Sequence, residues 1–168
     1  MPKIRRRTKA RLALTTGLAV AGFAATTSAA NSQVRMFEYA VKFVCGRAAP
    51  TPTAPPPLAQ GVYFTDINVH NPNTETTGFK KKFAVALPNQ KAGPISPFFE
   101  GVLKPDEALS VECAEITKRL NMIPGRFVTG FAVFQTAREL DIVAVYSAAG
   151  APGGFVSTMH MERVPKRP

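Results

Sequence analysis

From residue 34 onward the chain alternates apolar and polar side chains in short runs, and Gly, Pro and Asn punctuate the gaps between them. A period of two marks a half-buried strand, because successive side chains leave the backbone on opposite faces. Residues 34–45 show it first. Phe37, Tyr39, Val41, Phe43 and Cys45 fall on one face, and Met36, Glu38, Ala40, Lys42 and Val44 on the other. Aromatic and β-branched residues fill the run, which favours strand over helix. Further strands are predicted at 61–70, 79–87, 98–103, 109–113, 126–135, 140–147 and 155–164. Turn signals close several of them, among them Asn71-Pro72-Asn73, Lys104-Pro105-Asp106-Glu107 and Gly150-Ala151-Pro152-Gly153-Gly154. Residues 114–120 read as the one helix, ending before Pro124-Gly125.

Seven or eight strands with almost no helix predict an all-β domain, an antiparallel immunoglobulin-like β-sandwich. No internal repeat points to a propeller or solenoid. In the 79–87 strand, Lys81 shares a face with Phe79, Phe83, Val85 and Leu87. An inward lysine is one device that keeps edge strands from pairing with other chains, so this strand is placed near an edge. The triplet Lys80-Lys81-Lys82 is divided between opposite faces, which makes a solvated edge a better reading than a phosphate-binding patch. Residues 48–57 carry five prolines, which cannot donate ladder hydrogen bonds, and are expected to form an extended surface connection.

The first thirty residues follow another pattern. A basic start through Arg11 leads into an Ala/Leu-rich stretch over 12–25 and then into Thr26-Thr27-Ser28-Ala29-Ala30. These zones predict a Sec-type signal peptide over 1–30 with cleavage near Ala30, leaving one domain over 31–168. Thr15, Thr16 and Gly17 interrupt the apolar stretch, which is shorter than the roughly 20 residues of a membrane-crossing helix. Arg5-Arg6-Arg7 is followed by Thr8 and Lys9, where a twin-arginine signal wants apolar residues. No cysteine follows the small residues to take a lipid, and no membrane anchor is expected. The product is expected to be secreted or periplasmic.

Charge changes its meaning once this segment is set apart. The chain has 168 residues, 21 Lys plus Arg and 11 Asp plus Glu, for a net charge of +10. Six of the basic residues and none of the acids lie in the first eleven positions, so the balance of the remainder falls to +4. That excludes a strongly basic nucleic-acid binder as the first reading. The two cysteines, Cys45 and Cys113, are expected to form a disulfide in an oxidising compartment. Two reduced, buried thiols are the alternative.

Three stretches resemble segments of a family of uncharacterised exported bacterial β-sandwich proteins: Phe37-Glu38-Tyr39-Ala40-Val41-Lys42-Phe43-Val44-Cys45-Gly46, Asp66-Ile67-Asn68-Val69-His70-Asn71-Pro72, and Glu139-Leu140-Asp141-Ile142-Val143-Ala144-Val145-Tyr146. The likeness covers most of 35–165 and implies export without implying any chemistry. The turn Leu103-Lys104-Pro105-Asp106-Glu107-Ala108-Leu109 separately resembles one in immunoglobulin-like adhesion and cell-surface modules.

The common local signatures of hydrolases, zinc proteases, thiol oxidoreductases and nucleotide enzymes do not occur in the chain. A triad assembled from distant residues would have to use His70 or His160, the two histidines present. His70, Cys113, His160 and Met159 or Met161 supply the residue types of a blue-copper site, but His160 is far beyond Cys113 and an oxidised Cys113 offers no thiolate. Asp66, Asn68, His70, Asn71, Asn73 and Glu75 cluster at the end of one strand and its turn, and form the candidate binding patch. The run resembles a calcium loop only superficially, since Asn71 stands where the glycine belongs and Thr77 where the bidentate Glu belongs.

The leading expectation is a secreted, non-enzymatic module without cofactor or metal, which presents strand-end loops to an extracellular protein, glycan or cell-wall component. No nucleic-acid partner is expected. The alternative is a homo-oligomer, a fibre subunit in which residues 31–45 complete a neighbour's sheet. A hydrolase or a metal-binding protein ranks behind both.

Overall fold

A computed structural model describes residues 36–49, 58–150 and 156–167. All of them fall in the unit spanning 33–168, while residues 1–32, including the expected signal peptide, lie outside the described residues. Nine strands and one short helix follow one another: β1 (Phe37–Ala48), β2 (Gly61–His70), β3 (Thr77–Ala86), β4 (Ala92–Ile95), β5 (Phe99–Leu103), β6 (Ala108–Glu112), α1 (Cys113–Arg119), β7 (Val128–Thr136), β8 (Asp141–Ala149) and β9 (Val156–Arg163). Every pairing between them is antiparallel.

The pairings form two halves. In the first, β4 and β5 pair with β3, β3 with β7 and β7 with β1. In the second, β6 pairs with β2, β2 with β8 and β8 with β9. β1 belongs to both, since its first nine residues pair with β7 and Gly46 to Ala48 pair with β2. The bend falls at Gly46, whose φ of +85° suits glycine and where a Cβ would run into the Arg126 carbonyl. The antiparallel all-β class is therefore as expected. Strand pairing runs unbroken from β4 to β9, so the immunoglobulin-like detail goes beyond what the hydrogen bonding establishes.

Alternation places the inward rows of β1 and β3 as predicted, except for Leu87, which lies past the end of β3 and is exposed. Tyr39, Val41, Phe43 and Cys45 of β1 pack with Phe79, Phe83 and Val85 of β3, Val128, Ala132 and Phe134 of β7, and Ile67, Val69, Ile142 and Ala144 of β2 and β8. Truncating a fully buried ring such as Phe43 or Phe83 to alanine costs roughly 3–5 kcal/mol. The cysteines are bridged, with their Cα atoms 5.6 Å apart. Closing that loop contributes about 4 kcal/mol in the chain-entropy account.

Among the described residues, β1 has one edge that no strand covers along most of its length, and other groups bond to its backbone there. Thr65 Oγ1 accepts from Val44 N at 2.9 Å and donates to Val44 O at 3.0 Å. At the other end, Arg167 N donates to Glu38 O at 2.7 Å. Within the single chain, Phe37–Cys45 pairs with β7 and Cys45 is bridged to Cys113. Residues 31–35 of the expected exchanged strand lie outside the described residues.

Lys81 requires a correction. β3 lies next to the terminal strand β4 and so near an edge as expected, but it is flanked by β7 on one side and by β4 and β5 on the other, and Lys81 does not guard a solvated edge. The Lys81 side chain is only 9% exposed and its ammonium lies 2.9 Å from Glu115 Oε1 on α1, an ion pair that ties the helix to the sheet. Lys80 and Lys82 point the other way, as the period of two requires: Lys80 pairs with Glu100, and Lys82 lies over the Phe98 ring.

Candidate functional site

The predicted patch is taken apart by the fold. Asp66, Asn68 and His70 do share the outward face of β2, where Asp66 accepts from Asn68 Nδ2 at 3.1 Å and also from the Ser110 hydroxyl. Asn71 turns the opposite way and is fully buried. Its Nδ2 donates to the carbonyls of Glu75, Leu103 and Lys104 at 2.9–3.0 Å, and its Oδ1 accepts from Asn73 N and Nδ2. Its backbone bonds to Glu107 O and Asp106 N. Asn71 thus pins the β2–β3 turn to the β5–β6 turn. Asn73 adds a bond to Glu139 O, and Glu75 pairs with Arg138. The six residues are not a single surface: three face solvent along a strand, and three stitch loops together.

A different set of residues comes together on the open flank beside the free edge of β1. A depression of about 340 Å³ lies there, walled by Tyr63, Phe64, Tyr146, His160 and Glu162, with Leu58 at its rim. Tyr146 and His160 occupy facing positions on β8 and β9, and their rings stack at 6.0 Å with 16° between planes. Tyr63 and Tyr146 carry the parity of the inward-facing residues of their strands, yet β1 ends the first half before covering them. Tyr63 braces against Phe127 edge-on at 6.0 Å and donates to Ala59 O at 2.6 Å. The Tyr146 hydroxyl lies 2.6 Å from Glu162 Oε1 and 3.0 Å from Lys42 O, which share its one proton. Lys42 enters the wall through that carbonyl, while its ammonium sits over the Phe131 ring, 5.3 Å from the centroid.

Burial holds the Tyr146 hydroxyl well above the ordinary phenol value, and the hydrogen bond to Glu162 and that carboxylate's charge push it further up. The neutral hydroxyl is therefore fixed as a donor at any physiological pH. The hollow offers aromatic faces, an oriented phenol, an imidazole and one carboxylate, a combination of apolar wall and few polar groups typical of small-ligand sites. Sequence reading missed it because its residues are spread over four strands, β1, β2, β8 and β9.

The blue-copper residue set does not come together among the described residues. His70 faces Asp141 at one end of β8 and His160 faces Tyr146 further along, while Cys113 is held in the disulfide. Among the described residues, no three His, Cys, Asp or Glu side chains group closely enough to hold a metal ion. Among the same residues, no helix is long and apolar enough to cross a membrane.

No family model matches the chain, and no curated protein matches it. Among solved structures, the crystal structure of Thermotoga maritima 1070 is similar at 10% identity, over 78% of this chain and 92% of that chain, with a TM-score of 0.45. A likeness at that level carries no argument about fold or activity.

Proposed function

We propose that the chain is an exported, non-enzymatic binding module that takes a glycan of the cell envelope in the flank hollow. The observation that carries this reading is the stacked Tyr146 and His160 pair beside the Tyr146 to Glu162 hydrogen bond. A sugar ring presents an apolar C–H face to an aromatic wall and hydroxyls to a carboxylate at its edge, and this wall offers both. Glu162 is the one carboxylate lining the hollow among the described residues, whereas glycoside hydrolysis uses a pair. The single carboxylate supports binding rather than turnover. Export is supported by the Cys45–Cys113 bridge, since disulfides persist in oxidising compartments, and by the leader-type pattern of residues 1–30.

The chain contains no tryptophan and three tyrosines, of which Tyr63 and Tyr146 line the hollow. Intrinsic tyrosine emission therefore reports on the site directly. An N-acetylglucosamine tetrasaccharide is expected to change that emission saturably, and Tyr146→Ala is expected to weaken binding at least ~10-fold by removing the stacking face. A response that is absent at millimolar sugar, or identical in Tyr146→Ala and Tyr63→Ala, overturns the glycan reading.

A further inference from the structure

We infer that the hollow selects a glycan with a free amino group, a de-N-acetylated hexosamine whose ammonium is received by Glu162. The inference rests on the glycan reading above and adds to it the charge of the ligand.

Strand parity puts Glu162 on the inward side of β9. Thr65, Tyr146 and His160 occupy facing positions across β2, β8 and β9, and two residues along lie Ile67, Ala144 and Glu162. Thr65, Ile67 and Ala144 are buried, as is Val164, two residues beyond Glu162. His160 and Glu162 therefore carry the parity of interior residues, yet both are exposed to the hollow's open side.

A carboxylate so placed has no cation of its own. Among the described residues Glu162 forms no ion pair, and Tyr146 donates its hydroxyl to Glu162 Oε1 at 2.6 Å. The neighbouring basic side chains are engaged elsewhere: Arg163 with Asp141 at 2.9 Å, Lys166 with Glu139 at 2.8 Å and Arg167 with Glu38 at 3.1 Å. Lys42 gives the wall its carbonyl, but its ammonium lies over Phe131, its facing residue on β7 and an exposed one. The hollow thus keeps one carboxylate and turns away its one lysine, in a chain with an excess of basic residues. General attraction to such a chain favours anions, so a cation held here is chosen by the site itself.

The surroundings suit an ammonium. The bond from Tyr146 fixes the carboxylate and leaves Oε2 to accept from an incoming donor. A charge-assisted hydrogen bond of this kind is about twice as strong as a neutral one. The Tyr63 and Tyr146 rings add faces whose quadrupole attracts a cation. An acetamido group offers one neutral N–H and brings a carbonyl oxygen towards the same carboxylate, so N-acetylation gives up most of this advantage.

Tyrosine emission is titrated near neutral pH with three probes: a glucosamine tetrasaccharide, the N-acetylglucosamine tetrasaccharide and a lysine tetrapeptide. The glucosamine sugar is expected to bind at least ~10-fold more tightly than its N-acetylated form. Added salt is expected to narrow that gap. Glu162→Gln keeps an acceptor for the Tyr146 hydroxyl but loses the charge, and the affinities of the two sugars are expected to converge. Glu100→Gln removes the same charge from a side chain 79% exposed beside Lys80, and is expected to keep the gap. Circular dichroism verifies that both variants are folded. Equal affinities for the two sugars in wild type, a gap that survives in Glu162→Gln, or one that Glu100→Gln closes as well overturns the inference and leaves the glycan reading standing. Saturable binding of neither sugar overturns both. A lysine tetrapeptide that binds as tightly as the glucosamine sugar also overturns the inference, by assigning the hollow to basic peptides.

Discussion

The turn after β2 and the open flank beside β1 are built from similar residue types and do opposite work. In the turn, Asn71, Asn73 and Glu75 look like ligands, yet their polar atoms are taken by the Leu103, Lys104 and Glu139 carbonyls and by Arg138. On the flank, Tyr63, Tyr146 and His160 look like core residues by position, yet no strand of the first half covers them. A polar side chain becomes available for binding only after the backbone around it is satisfied elsewhere. At the turn the backbone has two loops of unpaired carbonyls to satisfy, and Asn71 is used up doing so. On the flank the β8–β9 ladder satisfies the backbone, and the side chains are left over.

The sharpest way to break that contrast is to remove the pin. Asn71→Leu keeps the approximate volume but removes the side-chain partner of the Leu103 and Lys104 carbonyls and of Asn73 N, while Glu75 O keeps Thr77 Oγ1 and Asn73 Nδ2 keeps Glu139 O. Each buried group stranded in this way costs roughly 1–3 kcal/mol, partly relieved where loops let water in, so the loss is expected to be about 4 kcal/mol. A denaturant titration reads it as a lower midpoint with an unchanged slope. Sugar binding by the still-folded fraction is expected to match wild type. A loss below about 1 kcal/mol would return Asn71 to the surface patch in which its sequence neighbours place it.

The equivalent change on the flank is expected to be smaller. Tyr146→Phe removes the hydroxyl shared by Glu162 and Lys42 O, a cost of about 1 kcal/mol because Glu162 lies at the surface and regains water. Its pH signature is more distinctive. The folded state holds the Tyr146 proton above 10.0, the ordinary value at which the unfolded chain releases it. Below that pH both states carry the proton and the group contributes no slope. Above it the unfolded state binds fewer protons than the folded one, so stability falls as pH rises. Tyr39, raised chiefly by burial, adds to the same decline. Unfolding midpoints measured from neutral pH to beyond 10 are expected to drop more steeply in wild type than in Tyr146→Phe. Equal slopes would mean that Glu162 does not hold the phenol.

How far the sequence reveals this depends on whether a residue's fate is set nearby. The inward row of β1 is legible because alternation encodes it locally, and the bounds of β2 because Gly61 and Asn71-Pro72-Asn73 flank the run. β4 is not, since Ala92-Gly93-Pro94-Ile95 has no alternation and exists as a strand only because it pairs with Ala84 and Ala86 of β3. Lys81 was legible as inward but not as paired, because Glu115 reaches it from the helix. A buried Asn71 and an exposed one are the same letter in a turn. The flank left one usable trace, that Tyr146 shares the parity of Ile142 and Ala144 while carrying a hydroxyl those positions do not need. Which inward positions remain uncovered depends on where β1 stops the first half, and no local pattern records that.

The smallest expected effect separates neighbours within the turn itself. Glu75 stands four residues from Asn71 and also bonds across the loops, to Arg138, but both side chains are about half exposed or more, at 62% and 46%. An ion pair in that setting gains little over its hydrated partners and is screened by salt, so Glu75→Gln is expected to cost less than about 1 kcal/mol and nothing measurable at high salt. The Glu75 main-chain carbonyl, which accepts from Asn71 Nδ2, is untouched by the substitution. If Glu75→Gln destabilised as much as Asn71→Leu, the charge rather than the buried amide would be holding the two turns together. Paired denaturant titrations of the two variants, run at low and high salt, distinguish these by whether the difference between them persists when the charges are screened.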